Sequence, residues 1–220
     1  MKILAIISQK GGVGKTTLAT ALAVAAEQRG QAVALFDLDD QATAAFWGEC
    51  REAETPPVQD VKLALLARDL DRARNAGADL VILDCPPKHD AAIVAAEPAD
   101  FVLIPTKPAL FDIRSMRATL KLMQSIGKRC GVVLTFCPVV GSQVAEARQL
   151  VQEIGAELAP VDMHQRVAYQ RAQEDGRTPQ EYEPGGKAAD EVTRLYSYIH
   201  TALHGEKAHG IKTKPLRKRA

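Results

Sequence analysis

The chain has 220 residues, 46% hydrophobic and 25% charged, the proportions of an ordinary globular domain and far from collagen-like or disordered low-complexity chains. That length supports one sizeable core, so a single domain is the default. A net charge of +1 excludes a uniformly basic or acidic protein, yet residues 205–220 hold six of the 28 Lys and Arg (Lys207, Lys212, Lys214, Arg217, Lys218, Arg219) and one of the 27 acids, Glu206, which leaves the remainder acidic.

The first predicted element is a strand over residues 2–8, apolar and β-branched, broken by a glycine-rich turn. Its apolar run stops at polar Ser8 and Gln9, too short for the centre of a secretory leader. An alanine- and leucine-rich helix follows over 16–29, closed by Gly30. Apolar runs at 32–37, 80–84, 101–104 and 131–136 predict further strands. Helical spacing predicts helices over 43–53, 63–75, 91–97, 113–126, 143–154, 165–174 and 187–204, and Gly77, Gly127 and Gly155 sit just past three of them. Continuous apolar strands alternating with helices imply an α/β fold, a mostly parallel twisted sheet with helices on both faces.

The expected organisation is one domain over 1–204 and a flexible basic C-terminal tail over 205–220, which has no aromatic residue. No stretch approaches the ~20 apolar residues that cross a bilayer, so a soluble cytoplasmic protein is expected. Cys50, Cys85, Cys130 and Cys137 show neither C-x-x-C pairing nor histidines at ligand spacing, and read as packing residues.

The turn after the first strand reads Lys10-Gly11-Gly12-Val13-Gly14-Lys15-Thr16-Thr17. The ordinary Gly-x-x-x-x-Gly-Lys-Thr pattern is not met, because its first position falls on Gln9. Amides that converge on phosphate oxygens need residues without obstructing side chains, and glycine also accepts positive φ. The following helix turns the positive end of its dipole to the same anion. Lys15 is then placed to reach the β- and γ-phosphates and the Thr16 hydroxyl to ligate Mg2+. Asp84 closes the apolar run that begins at Leu80, at the sheet edge where open α/β folds bind ligands. Beside such a loop it has the form of the Walker B acid, which holds Mg2+ through water.

The Lys10 to Thr17 segment resembles the ParA/MinD family of deviant Walker-type P-loop ATPases. The resemblance runs from residue 1 to about residue 203, through Phe36-Asp37-Leu38-Asp39, Asp84-Cys85-Pro86-Pro87, Gln165-Arg166-Val167, Gly176, Tyr182-Glu183-Pro184 and Gly185-Gly186-Lys187. It is greatest for the small ParF-like plasmid partition ATPases, which lack an N-terminal DNA-binding domain. Pro105-Thr106-Lys107-Pro108 resembles the family's proline-containing loop near the nucleotide, and an ordinary turn explains it equally well.

The resemblance implies a P-loop NTPase fold, ATP and Mg2+ as cofactors, and slow hydrolysis stimulated by a partner. Nucleotide binding falls to Gly11, Gly12, Val13, Gly14, Lys15, Thr16 and Thr17, and the metal to Thr16, Asp37 and Asp84. The catalytic residues are Lys10, Lys15 and Asp39. Lys10 crosses the interface of an ATP-sandwich homodimer to the partner's phosphates, and Asp39 orients the attacking water. The family usually has Asp-x-Asp-Pro-Gln, whereas this chain has Asp40 where the proline stands. That frees the backbone angle and adds a charge near the phosphates, which bears on hydrolysis rate more than on binding.

Family members of this type bind DNA non-specifically as ATP dimers and release it on hydrolysis, distributing plasmids or other cargo with a centromere-binding or adaptor partner. Candidate DNA contacts are Arg166, Arg171, Lys187 and Arg194, with Lys214, Arg217, Lys218 and Arg219 of the tail. The rival is a MinD-like membrane-associated regulator. It is disfavoured because the tail has only Ile211 and Leu216 as large aliphatics and Pro215 interrupts a helix. An iron-sulfur relative, which would need bridging cysteines, and a non-hydrolysing nucleotide-binding scaffold, which Asp40 suggests, complete the alternatives.

Overall fold

The structure, a computed structural model, describes residues 1–205. The elements run β1 (Lys2–Ile6), α1 (Lys15–Glu27), β2 (Val33–Asp37), α2 (Thr43–Glu49), β3 (Val58–Asp60), α3 (Leu66–Asn75, entered by the 3-10 turn Leu63–Leu65), β4 (Leu80–Asp84), α4 (His89–Ala96), β5 (Phe101–Thr106), α5 (Leu110–Ser125), β6 (Cys130–Leu134), α6 (Gln143–Glu153), α7 (Val167–Glu174), α8 (Pro179–Tyr182) and α9 (Lys187–His204). The sheet has order β3-β2-β4-β1-β5-β6, and every neighbouring pair is parallel. The mostly parallel sheet expected from the apolar runs is the one found.

Alternation along the strands divides the core in two. Ile3, Ala5, Val81, Leu83, Val102 and Ile104 face one side, packed with residues of α3 to α6. Leu4, Ile6, Leu80, Ile82, Phe101 and Leu103 face the other, packed with α1 and α9. Both faces are covered, so the strands read as unbroken apolar runs. Burying each such Leu or Ile contributes ~1.5–3 kcal/mol. Helix α1 is buried almost all round, from Leu18 to Ala26. Its alanines let it lie close to the sheet on one side and to α9 on the other, while α8 reaches it through Gln180, whose Nε2 donates to Ala21 O at 2.8 Å.

Some boundaries differ from the sequence expectation. Strand β3 was not expected, because Val58-Gln59-Asp60 has a single apolar residue; it lies at the sheet edge with Gln59 and Asp60 exposed. The four-residue α8 is too short to show a period. Helix α5 starts at Leu110 rather than 113: Leu110 and Phe111 are 68% and 76% exposed, so they break the buried-face spacing that marks the rest. Helix α2 stops at Glu49, short of 53. The tail residues Lys214, Arg217, Lys218 and Arg219 lie outside the described residues.

Candidate functional site

Strand β1 is central, with β4 on one side and β5 on the other. The chain leaves its C-terminal end through residues 7–14 and enters α1 at Lys15. Gly12 and Gly14 take positive φ of 67° and 88°, and Gly14 is the N-cap residue. An L side chain at Gly14 would be strained, and its Cβ would come within 3.3 Å of the Phe136 ring. The Thr135 hydroxyl donates to Val13 O at 3.0 Å, anchoring the loop to the end of β6. No acid occupies the first turn of α1, so the positive helix end is left to an external anion. Lys15 is buried there.

Strands β2 and β4 are in register at Asp37 and Asp84, which places two buried carboxylates side by side at the sheet edge. They are held differently. Asp37 Oδ1 accepts the Asp39 N–H at 3.0 Å, and Oδ2 accepts the N–H groups of Ala44 and Ala45 at 2.8 and 3.0 Å. Asp37 thereby ties down the segment entering α2 and satisfies that helix's first amides. Burial nevertheless keeps its carboxyl above the usual range. Asp84 Oδ2 accepts the Thr16 hydroxyl at 2.6 Å, while Oδ1 is buried without a partner among the described residues. Burial pushes the Asp84 carboxyl up to about 7, against the pull of the Thr16 hydrogen bond. A buried carboxylate with one oxygen orphaned next to a threonine hydroxyl is a donor set that fits a hard, oxygen-seeking cation.

Asp39 is partly exposed, and its Oδ1 accepts the Gln41 N–H at 3.1 Å in a local turn. Asp40 is exposed and its carboxyl accepts from Lys88 Nζ at 2.8 Å, which holds it below the usual carboxylate range. Lys10 is turned onto its own chain: Nζ lies 2.8 Å from Asp112 Oδ2 in the first turn of α5.

A cavity of about 280 Å³ opens beside Gly14 and Thr17. Phe136 and Met163 line it along with Gln165 and Tyr169. Lys107 Nζ lies 4.6 Å from the centre of the Phe136 ring, and Thr17 Oγ1 accepts from Gln173 Nε2 at 3.1 Å. Sequence reading missed Asp112, Phe136, Met163 and Gln173. They belong to four separate segments with no shared spacing, and only the fold brings them to the loop.

Arg166, Lys187 and Arg194 line one surface cleft, and Arg171 stands apart on α7. The cleft is not uniformly basic, since Asp162, Asp190 and Glu191 line it too. Arg166 commits its guanidinium to buried Glu191, with Nε and Nη2 at 2.9 and 2.6 Å from Oε1; His164 Nδ1 is 2.8 Å from the same oxygen. The cysteines are free, and burial raises the thiols of Cys85, Cys130 and Cys137, the last to about 12. Protonated thiols are poor metal ligands. Among the described residues no three His, Cys, Asp or Glu side chains are grouped so as to hold a metal ion by themselves, and no helix is long and apolar enough to cross a membrane.

The family model described as the CobQ/CobB/MinD/ParA nucleotide binding domain matches residues 4–179. The chain belongs to this family. Its fold is thus that of the ParA/MinD-type nucleotide-binding proteins, as the Lys10 to Thr17 motif led one to expect. The maintenance of carboxysome distribution protein A of Halothiobacillus neapolitanus is 27% identical over 216 residues, covering 89% of this chain and 95% of that protein. Its namesake from Gloeobacter kilaueensis is 31% identical over 209 residues, covering 92% and 94%. In solved structures, the ATP complex of a Cyanothece McdA variant superposes with a TM-score of 0.71 at 19% identity, covering 99% of each chain. ATP is the nucleotide of that relative's structure.

Proposed function

We propose that the chain is an ATPase that dimerises with ATP, binds DNA without sequence preference and is released on hydrolysis, positioning a cargo inside the cell. The observation that carries the reading is the Thr16–Asp84 hydrogen bond of 2.6 Å with Asp84 Oδ1 left over, directly under a loop built for phosphates. Gly11 to Gly14 and the first amides of α1 bind the phosphates, and Lys15 neutralises them. Thr16, with Asp84 through a water, would hold magnesium, which supplies charge neutralisation across the β- and γ-phosphates. Asp37, whose oxygens are already taken by three backbone amides, contributes its field rather than a bond. The Phe136 and Met163 side of the cavity offers an apolar wall to the base.

Asp39 orients the attacking water, and Lys10 delivers a cation to the partner's phosphates, which makes turnover depend on the dimer. A cation supplied in trans is worth ~10³ to 10⁵ in rate in related phosphoryl transfers. The ion pair between Asp40 and Lys88 offsets the extra charge that Asp40 brings next to Asp39, which favours turnover over a non-hydrolysing scaffold.

Both carboxysome-distribution relatives match along nearly their full length, which supports cargo positioning ahead of plasmid partition in particular. The basic residues beyond 205 are the DNA-contacting element, and the protein is cytoplasmic, on the nucleoid while ATP is bound. A protein partner on the cargo stimulates hydrolysis. The test is phosphate release from Mg-ATP with and without duplex DNA, together with sedimentation of the ATP-bound protein. Monomers at every concentration, or no adenine nucleotide binding with magnesium, overturn the reading.

A further inference from the structure

The loop that follows β4 is tied to both nucleotide loops. Gln9 Nε2, at the entry of the phosphate loop, donates to His89 Nδ1 at 3.1 Å, and Lys88 Nζ donates to Asp40 Oδ2 at 2.8 Å. Lys88 is the residue from which α4 starts: its backbone is extended (φ −117°, ψ 137°). Its carbonyl accepts the Ala92 N–H at 3.1 Å, and its own N–H donates to Pro86 O at 2.8 Å. Its Cα is therefore fixed by α4 and the turn at Pro86, and the side chain reaches from that fixed point to the segment carrying Asp39. Apart from Leu38, whose side chain is buried in the core and whose N–H donates to Asp84 O, that segment is otherwise held by short-range contacts: Ala42 N–H to Asp39 O, Gln41 N–H to Asp39 Oδ1 and Asp39 N–H to Asp37 Oδ1.

Asp40 stands where the family resemblance leads one to expect proline. Proline would stiffen the segment by fixing φ near about −65°. Asp40 imposes no such limit and adds a negative charge next to Asp39. One residue on the neighbouring loop answers both deficits, because the Lys88 ammonium neutralises the charge and ties it to a helix start. Both partners are exposed, 63% and 67%. A pair of that kind is weak and screened by salt.

We propose that Lys88 and Asp40 form a positioning clamp: their ion pair holds the 38–42 segment against the start of α4, sets the direction of Asp39 and takes over the restraint that proline would give. Neither residue touches the reacting atoms. The catalytic consequence rests on the ATPase reading above, whereas the clamp itself is a property of the nucleotide-free chain.

The experiment uses the full chain at low ionic strength without DNA, as wild type, Lys88→Met, Asp40→Asn and the charge swap Asp40→Lys with Lys88→Asp. Backbone hydrogen exchange of residues 39–42 is followed without nucleotide, and steady-state hydrolysis of Mg-ATP is measured in parallel. Each single variant is expected to speed exchange and to lower kcat by about two- to fivefold, the scale of an exposed pair, with KM for ATP unchanged. The swap is expected to return both towards wild type, and added salt to erase the difference between wild type and the single variants. Singles that exchange like wild type, or a swap as impaired as either single, overturn the clamp. A wild type that turns over no ATP removes the ATPase reading, and the exchange measurements then decide the clamp alone.

Discussion

Lys10 and Asp112 are joined by an ion pair of 2.8 Å, in which the acid is 8% exposed at its side chain and the lysine 40%. Asp112 Oδ1 has no other partner among the described residues. On the reading proposed above Lys10 reaches a second subunit, and in the single chain it is held by the start of α5. Leaving Asp112 strips a buried carboxylate of its counter-charge, and that cost opposes dimerisation. Charged hydrogen bonds of this kind are worth ~1.5–3 kcal/mol. Asp112→Asn is expected to weaken the hold and lower the concentration needed for the ATP-bound dimer by about fivefold or more. Sedimentation with a non-hydrolysable ATP analogue reads it; an unchanged monomer–dimer midpoint means that the pair does not restrain Lys10.

Asp39 is the residue on which turnover is expected to depend. Because Asp39 Oδ1 also accepts the Gln41 N–H, Asp39→Ala removes a turn as well as a carboxylate, and Asp39→Asn is the sharper variant. Asparagine keeps an acceptor for Gln41 and loses the charge. Both are expected to bind nucleotide within about threefold of wild type and to lose ~100-fold or more in kcat, the scale of a positioned base. Fluorescent-nucleotide titration and phosphate release check the two halves separately. Unimpaired hydrolysis in Asp39→Asn assigns the water to another group.

What the sequence made legible was contiguous. The phosphate loop, its flanking strand and the opening of α1 occupy a single stretch, so glycine, lysine and threonine at fixed offsets carry the chemistry without knowledge of the fold. Strands β1 and β4 were legible because burial on both faces leaves no polar alternation. The rest depends on distance through space. Asp112 is one acid near the start of a helix until β5 and α5 bring it beneath Lys10. Phe136 is an apolar residue after a strand until the sheet order sets it against Gly14. Arg166 read as a free cation because its partner, Glu191, lies 25 residues further on.

The ion pair between Arg51 and Glu181 gives a pH test. Arg51 Nη1 and Nη2 donate to Glu181 Oε2 and Oε1 at 3.0 and 2.6 Å, joining the end of α2 to α8. Burial pulls the Glu181 carboxyl up, but the Arg51 guanidinium and the Thr178 amide and hydroxyl outweigh it and hold it below its ordinary value of 4.5. A depressed carboxylate stabilises the fold above the unfolded pKa, and the contribution disappears as pH falls through the folded value. Glu181→Gln is expected to cost about 2 kcal/mol at pH 7, less than a fully buried pair because Glu181 remains partly exposed. The difference in Tm from wild type is expected to shrink below about pH 4. A constant difference from pH 7 to pH 3 contradicts the assignment.

The last prediction separates two sets of basic residues. Arg166 pairs with Glu191, which is 5% exposed. Arg166→Ala leaves that buried acid short of a counter-charge and is expected to lower stability by about 2 kcal/mol, so any loss of DNA binding in this variant is read beside its Tm. Lys214, Arg217, Lys218 and Arg219 are the second set, replaced together by alanine. If these residues neutralise DNA phosphates, the variant should bind duplex more weakly in the ATP state. The slope of log affinity against log salt should also flatten by about 0.9 for each phosphate that is no longer neutralised. Titrations on duplex at several salt concentrations decide the matter, and a slope equal to wild type means that these four residues do not neutralise DNA phosphates.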